Sequence, residues 1–251
     1  MKIVSYNIRN QYAHDGINAF IHRAGAIYEK INAEKPDVIA FQEMTDKHLK
    51  LMETLFPEYT FVGLLRHKGY TGEGLYIAAR RETFTILGFD TIFLSPTPYI
   101  PASRYEMQSP HPRICLETHL LHKETGKELR VFDLHLDHHR TEAQMLGMKD
   151  TLTYIDSFQA KRSLPFVLLG DFNVRPDSEE IALCNARPDM TDITAEIPST
   201  FHGYGKCSAK IDYIYMSKDI AEQVTSVKIW DDEHAGIYLS DHYPVCAELE
   251  L

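Results

Sequence analysis

The sequence has few cysteines, and none of them stand in a paired spacing. Its 251 residues include 4 cysteines, with no Cys-x-x-Cys pair among them. This spacing argues against zinc ribbons and dithiol redox motifs. Cys115 and Cys246 lie in apolar, strand-like runs, so we predict buried free thiols rather than disulfides or zinc ligands.

Long apolar runs are also missing, and so is a charged-then-apolar leader. The chain opens directly on a strand-like run from Met1 to Asn7. The sequence therefore encodes no membrane helix and no secretory signal, unless a leader was removed. We expect a cytoplasmic protein without a transmembrane segment.

Positive charge is in short supply. Lys and Arg number 26 against 36 Asp and Glu, which gives a formal net charge of −10. The basic residues are scattered in short clusters such as Arg66-His67-Lys68, which argues against a strong grip on long duplex nucleic acid. A small or short phosphoester stays open as a partner, because a bound cation can reverse the local sign inside an acidic cleft.

The chain has no Gly/Ser linker and no internal repeat, so residues 1–251 are expected to form one domain. Strand-like runs recur along its whole length. They are residues 2–7, 37–42, 59–64, 75–79, 84–94, 113–121, 129–136, 164–169, 211–216, 224–230 and 245–251.

Helical spacing appears at fewer places. It is clear in Phe20, Ala24, Ile27 and Ile31, and again in residues 145–155. The second helix is expected to begin with a capping box, in which Thr141 and Gln144 bond each other's backbone. About eleven strands with roughly four helices predict an α/β domain of two packed sheets with helices outside.

Prolines keep residues 95–112 from becoming a strand or a helix. The simpler interpretation is a surface excursion. The alternative is a lip over a site, with Tyr99, Arg104 or Tyr105 touching substrate.

Polar groups stand next to two apolar runs in the last third of the chain, after one run and before the other. Gly170-Asp171-Phe172-Asn173 follows one run and should place a carboxylate and a carboxamide on one side of an extended backbone. Ser240-Asp241-His242-Tyr243-Pro244 sets an Asp beside a His before the last run. A metal ion with a phosphate ester is the partner that fits both groups.

Similar groups stand at other strand ends: Asn7, Glu43, His135 with Asp137, and Asp212. Each group alone is weak evidence for a metal site, because a Glu after a strand is usually solvated and an Asp before a strand is usually part of a turn. Because all of these junctions carry groups suited to a hard metal and phosphate, a shared site is favoured over independent accidents.

These motifs, together with Tyr6-Asn7-Ile8-Arg9, Gln42-Glu43, His135-Leu136-Asp137-His138 and Ile211-Asp212-Tyr213-Ile214, resemble the endonuclease/exonuclease/phosphatase superfamily over nearly the whole chain. The resemblance implies a four-layer α/β/β/α sandwich of two packed mixed sheets. It also implies a divalent-metal phosphoesterase site at one edge. The segments Asp15 to Arg23 and Leu94 to Pro98 are similar to smaller bacterial members.

The resemblance and the side-chain chemistry together give each residue an expected role. Glu43 would bind Mg²⁺, or Mn²⁺ in its place, and Asn7 and Asp241 would complete or brace that site. His242 would be the base and Asp212 its partner. Asp171 would hold the attacking water or a second ion, and His135 and Asn173 would hydrogen-bond phosphoryl oxygens. Arg113 would clamp a phosphate oxygen, with an ordinary strand-edge Arg as the alternative.

Some choices stay open. Many small members carry Asn and Thr where Asp133 and Leu134 stand, which puts that Asn's hydrogen bond in doubt. The substrate could be a nucleic acid, a lipid, a sugar or a nucleotide phosphoester. The loop Ser199 to Lys206 could stack a base or sugar, although a plain turn is the simpler interpretation. The alternative to a phosphodiesterase, phosphatase or nuclease is a non-catalytic phosphate-binding or scaffolding protein, and in either case a monomer is expected.

Overall fold

The computed structural model describes residues 1–250, which contain fourteen strands and five α-helices. The strands are β1 Lys2–Asn7, β2 Val38–Thr45, β3 Tyr59–Leu65, β4 Glu73–Arg80, β5 Phe84–Phe93, β6 Ile114–His122, β7 Glu128–His135, β8 Phe166–Asp171, β9 Met190–Asp192, β10 Asp212–Ser217, β11 Val224–Ile229, β12 Glu233–His234, β13 Ile237–Tyr238 and β14 Val245–Leu249. The helices are α1 Phe20–Glu34, α2 Asp46–Leu55, α3 Thr141–Lys161, α4 Glu179–Asn185 and α5 Lys218–Ala221.

Two sheets of six strands form the body of the molecule. The first has the order β11-β14-β1-β2-β4-β3 and the second the order β5-β6-β7-β8-β10-β9. In each sheet one central pair is parallel, β1 with β2 and β7 with β8, while the other pairs are antiparallel. The sheets are therefore mixed.

Three apolar cores separate four layers. One core lies between the sheets and includes Ile3, Ile77, Leu116 and Val167. The second packs β7 and β8 against α3 and α4, and the third packs β1 and β2 against α1 and α2. This confirms the expected α/β/β/α sandwich.

Each parallel pair is a strand–helix–strand unit, with α1 linking β1 to β2 and α3 linking β7 to β8. Parallel strands end at the same edge of a sheet, and ligand sites of open α/β sheets lie beyond those carboxyl ends. Three of these strands end at Asn7, His135 and Asp171, and the pairing of β2 with β1 ends at Gln42, next to Glu43. The topology thus gathers distant polar groups at one edge of the sandwich.

Helix α1 follows the predicted spacing, with Phe20, Ile27 and Ile31 buried. It ends at Lys35, which adopts a left-handed φ of 48° before Pro36 and donates its N–H to Ile31.

The predicted capping box at α3 is wrong. Thr141 is already helical, the N-cap is Arg140, and no side chain among residues 1–250 caps this end. Gln144 instead donates to the carbonyls of Asp137 and Asn173 at 2.7 and 2.9 Å. Gln144 bonds these loop carbonyls instead of the helix N-terminus, and the local sequence does not show that they are close to it.

Several short elements were not expected from the sequence. Strands β9, β12 and β13 have two or three residues each, and α2 and α4 lack a long apolar period. Residues 95–112 form neither helix nor strand, as expected. The last strand ends at Leu249, and Leu251, included in the expected run 245–251, lies outside the described residues.

The four cysteines are free in the described chain, with Cys115, Cys184 and Cys246 buried and Cys207 exposed. None of the helices within residues 1–250 combines the length and the apolar character needed to cross a membrane.

Candidate active site

A cavity of about 670 Å³ opens at the edge where both parallel pairs end. Seven of the nine side chains expected at the site line it: Glu43, Arg113, His135, Asp171, Asn173, Asp241 and His242. Asn7 and Asp212 lie directly behind this lining, each bonded to a lining residue. The structure therefore brings all nine expected residues together.

Asn7 is the centre of the carboxylate cluster. Its Nδ2 lies 3.2 Å from Glu43 Oε1, 3.0 Å from Asp171 Oδ2 and 3.5 Å from His242 Nε2. Its Oδ1 accepts the N–H of Arg9 at 3.0 Å, which orients the amide. Asn7 thus holds residues from both sheets in one cluster, as a brace.

Glu43 reaches the cavity because β2 is irregular. The pairing of β2 with β4 shifts register between Phe41 and Met44, and Glu43 has a left-handed φ of 61°. A bulge of this kind redirects one side chain out of the regular alternation. Glu43 Oε2 accepts the N–H of Asn10 at 2.8 Å, which leaves the carboxylate fixed at the cavity.

His242 is held between two carboxylates. Its Nδ1 lies 2.9 Å from Asp212 Oδ2, and its Nε2 lies 3.8 Å from Asp171 Oδ2. A carboxylate only accepts, so Asp212 fixes the proton on Nδ1 and leaves Nε2 facing the cavity. The Phe201 ring packs beside the imidazole, with centroids 4.8 Å apart.

The carboxylates set the charge of this histidine. Burial alone would lower the pKa of His242, but the charges of Asp212 and Asp171 raise it to about 10. Burial raises the pKa of Asp171, and the His242 charge opposes this effect. The imidazole would thus be protonated at neutral pH when these carboxylates are charged, and a bound cation that neutralised them would free Nε2 to accept a proton.

The side chains of Asp171 and Asn173 both line the cavity, as expected, but the backbone turns at Asn173 and does not stay extended. Gly170 has a φ of 137° and Asn173 a φ of 53°, and the Asn173 N–H bonds Asp171 Oδ1 at 2.9 Å. Only glycine fits at 170, because a Cβ there would lie 2.0 Å from the Leu134 carbonyl oxygen. The turn places both side chains at the cavity.

His135 faces the same carboxylate from β7, with Nε2 3.5 Å from Asp171 Oδ2. Burial and then the charge of Arg113 lower its pKa well below the usual value, so this imidazole is neutral. Asn173 donates one amide N–H to the Leu136 carbonyl at 3.1 Å, and its second N–H stays available.

Asp241 meets a cation from the chain itself. Arg9 Nη1 lies 3.4 Å from Asp241 Oδ2, while its Nε bonds Asp15 at 3.0 Å. Burial raises the pKa of Asp241 and nearby Glu43 raises it further, although the His242 charge opposes them. The loop carrying Arg9 is fixed from below by the fully buried Arg23, which donates to the carbonyls of Asn18, Ile8 and Leu239 at 2.7, 3.1 and 2.5 Å.

The donor set fits a hard divalent cation. Three of the expected carboxylates line the cavity, Glu43, Asp171 and Asp241, and a fourth, Asp212, lies behind them against His242. Asp171, Asp212 and His242 place potential ligand atoms within 4.8 Å of one another. Because Asp212 is committed to His242 Nδ1, the oxygens of Glu43 and Asp241 suit the cation better.

The cavity lining also includes residues of the loop 199–206, for which the sequence leaves both a stacking role and a plain turn open. Phe201, Tyr204 and Lys206 show that the loop 199–206 borders the site and is not a remote turn. Arg66 and His111 also line the cavity. Nothing in the local sequence separates Arg66 from other short basic clusters.

The proline-rich segment contributes less than the lip interpretation required. Tyr99 is exposed, Arg104 bonds the Gln108 carbonyl, and Tyr105 donates to Asp150 of α3. His111 is the residue of this segment that reaches the cavity in the described chain.

Several solved structures have the same fold as this chain. The structure matches a mannosyl-6-phosphatase from Bacteroides thetaiotaomicron at 26% identity and a TM-score of 0.90, covering 100% of both chains. An endonuclease/exonuclease/phosphatase protein from Bacteroides vulgatus matches at 26% identity and a TM-score of 0.89, over 99% of this chain and 98% of that one. The human Nocturnin catalytic domain, at 17% identity and a TM-score of 0.73 over 98% and 92%, shares the fold. A search of curated protein sequences returned no match.

The model of the endonuclease/exonuclease/phosphatase family matches residues 4–242, which span the strand ends from Asn7 to His242. Members of this family are phosphoester hydrolases that generally use divalent metals. The chain therefore belongs to the endonuclease/exonuclease/phosphatase family.

Proposed function

We propose that the protein is a Mg²⁺- or Mn²⁺-dependent hydrolase of phosphoester bonds. The observation that carries the proposal is His242, held on one nitrogen by Asp212 and facing Asp171 with the other. This is the arrangement that a general base needs. A purely phosphate-binding protein would have no use for a buried base with its own carboxylate partner.

Glu43 and Asp241 would hold the cation, and Asn7 would complete its surroundings as a brace. When bound, a divalent cation neutralises charge on the phosphoryl oxygens and favours attack at phosphorus. Asp171 would position the attacking water beside His242 Nε2, which takes its proton. His135 and Asn173 would donate to phosphoryl oxygens, and Arg113 would add a guanidinium.

We further propose a small phosphorylated sugar as the first substrate class to test. The match to a mannosyl-6-phosphatase along both full chains supports it. Tyr12, Phe201 and Tyr204 at the cavity are aromatic surfaces on which a sugar ring could pack. A net charge of −10 disfavours long nucleic acids, although short ones stay open as substrates.

The test is hydrolysis of p-nitrophenyl phosphate, bis-(p-nitrophenyl) phosphate and mannose 6-phosphate by EDTA-treated protein, with Mg²⁺, with Mn²⁺ and without metal. Activity is expected only with metal. Glu43→Gln should raise the metal concentration for half-maximal activity and weaken Mn²⁺ binding in calorimetry by at least about tenfold, since one anionic ligand is lost.

Glu53→Gln, at an exposed position of α2, is the matched control and should behave as the native protein. Metal-independent turnover would refute the cation role, and an unchanged Mn²⁺ affinity in Glu43→Gln would remove Glu43 from the site. A lack of turnover on every ester with metal bound would favour the non-catalytic alternative.

A further inference from the structure

The wall of the cavity that faces the carboxylate cluster is basic. Arg66, from the end of β3, and Arg113, just before β6, line it together with His111 and His138. We call these four residues the basic wall. The cavity thus has two buried arginines in its lining besides the carboxylates, and one of them, Arg66, is paired with Glu73.

Arg113 is buried without a full set of partners. It is 4% exposed, and within residues 1–250 its Nε and Nη1 make no hydrogen bond. Its Nη2 donates to His138 Nδ1 at 2.9 Å. A guanidinium only donates, so His138 must accept on Nδ1 and carry its proton on Nε2.

The nearest carboxylate does not satisfy Arg113. Asp137 Oδ2 lies 4.0 Å from Arg113 Nε, beyond hydrogen-bond reach. Asp137 is already occupied by Ser109 and by the N–H groups of His139 and Arg140, each at 2.9 Å. Burial and the charge of Arg66 lower the pKa of Arg113 to about 9, which is the effect of an uncompensated buried cation.

Arg66 is held in place from behind. One of its nitrogens bonds Glu73, whose other oxygen accepts from Asn10, and Asn10 in turn donates to Glu43 at 2.8 Å. Arg66 Nε is buried without a partner in the described chain. The guanidinium is thus oriented by a network that continues to the proposed cation ligand.

Arg130, a buried arginine outside the cavity, has a different environment from Arg113. Its Nε also lacks a partner within residues 1–250. Its Nη1, however, bonds the Glu117 carboxylate at 2.5 Å and its guanidinium lies over the Phe158 ring, whereas Arg113 bonds no carboxylate in the described chain. Leaving a buried charge and its donors unpaired costs stability, so Arg113 is unfavourable to the protein alone. An anionic ligand would remove that cost.

We propose that Arg66 and Arg113, flanked by His111 and His138, receive the nonbridging oxygens of a terminal phosphate and select phosphate monoesters over diesters. This rests on the proposed function, which places the same phosphate against the carboxylate side. A monoester carries about −1.5 to −2 charge and three free oxygens, enough to meet both a cation and the basic wall. A diester turns a neutral ester group toward donors that then stay unpaired.

The first test compares Arg113→Met with Arg130→Met. Unfolding midpoints are measured in Mg²⁺ buffer with and without inorganic phosphate, and phosphate binding is measured by calorimetry. Without phosphate, Arg113→Met should unfold at or above the native temperature, whereas Arg130→Met should unfold below it because Glu117 loses its partner. Arg113→Met should bind phosphate about 10- to 100-fold more weakly, the scale of a charged hydrogen-bond set, and Arg130→Met should bind it normally.

Arg113→Lys, which keeps the charge without the fork of donors, should recover part of the phosphate affinity. The proposal is overturned if the native protein does not bind phosphate, if Arg113→Met binds it as tightly as the native protein, or if Arg113→Met is as unstable as Arg130→Met.

The second test measures kcat/KM on p-nitrophenyl phosphate and bis-(p-nitrophenyl) phosphate. We expect a preference for the monoester of at least ~10²-fold, reduced in Arg113→Met. A native enzyme that cleaves the diester equally well refutes the selection while the hydrolase function stands. Tight, Arg113-dependent phosphate binding without hydrolysis of either ester refutes the hydrolase function while the phosphate receptor stands.

Discussion

His242 is a buried imidazole that lies between two carboxylates. The residue is 5% exposed, and its two ring nitrogens face Asp212 and Asp171. The carboxylates that raise its pKa are the same groups that a cation would neutralise. The residue is therefore tuned by its surroundings, and its basicity depends on what the cavity holds.

His242→Ala should lower turnover on p-nitrophenyl phosphate by at least ~10²-fold, the contribution expected from a general base, while the fold is retained. The measurement is kcat with circular dichroism as a check of folding. His234→Ala, at an exposed position in β12, is the control and should keep native turnover. Native turnover in a folded His242→Ala protein would exclude this residue as the base.

Three residues at the cavity have unusual backbone dihedral angles. Arg9, Glu43 and Asn173 all have left-handed φ angles, between 53° and 61°. Such conformations are unfavourable for side chains other than Gly, Asn and Asp, and they persist where the surrounding structure enforces them. The site is thus built at strained positions that follow regular strands.

At the scale of elements, helix α3 connects the two loops that follow β7 and β8. Gln144 in its first turn donates to the carbonyls of Asp137 and Asn173. These loops carry His138 and the turn between Asp171 and Asn173. The helix therefore links the two loops that carry residues proposed to contact phosphate.

Gln144→Ala should reduce kcat by about 10- to 100-fold, since a shift of about 1 Å in positioned groups has effects of this size. It should also lower the free energy of unfolding by about 1–3 kcal/mol, because two carbonyls lose their donor. Both are measured by kinetics and urea denaturation.

Gln159→Ala is the control for this prediction, because Gln159 makes the same kind of contact at the other end of α3, with Leu164. It should lose stability but keep kcat. Equal kcat in the two variants would show that Gln144 does not position the site.

Elements with strong local signals were predictable from the sequence, and those made by tertiary contacts were not. The apolar runs gave most strands of the two sheets, and the spacing from Phe20 to Ile31 gave α1. The motifs gave the nine residues that meet at the cavity, whose roles stay predictions. Arg66 was missed because nothing in the local sequence separates it from other short basic clusters, and the contact of Gln144 with Asn173 was missed because the two residues are 29 positions apart.

At the scale of the whole molecule, one polar contact crosses the apolar space between the sheets. Gln42 of β2 donates to Asp133 of β7 at 2.7 Å. Burial raises the pKa of Asp133 well above its usual value, against the opposing hydrogen bond from Gln42. The other carboxyl oxygen, Oδ2, has no partner within residues 1–250.

Asp133→Asn should stabilise the protein at pH 7 by about 1–3 kcal/mol, because it keeps the acceptor for Gln42 and removes a buried carboxyl. A raised carboxyl pKa means that the unfolded chain loses its proton first, so stability falls as pH rises above about 4. The advantage of Asp133→Asn should therefore vanish as pH falls toward about 4.

Chemical denaturation across pH checks this prediction, with Asp177→Asn at an exposed position as control. A variant that is less stable than the native protein at every pH would contradict it.

The pairing of the first strand with the last has a consequence for biosynthesis. β1 lies between β2 and β14, and Ser5 pairs with Val245, so the first sheet cannot be completed until the ribosome has made almost the entire chain. Asp241 and His242 emerge only shortly before that strand. Nascent chains and premature-stop products that end before residue 240 would therefore have Glu43 and Asp171 but not His242, the proposed base, and we expect them to be inactive.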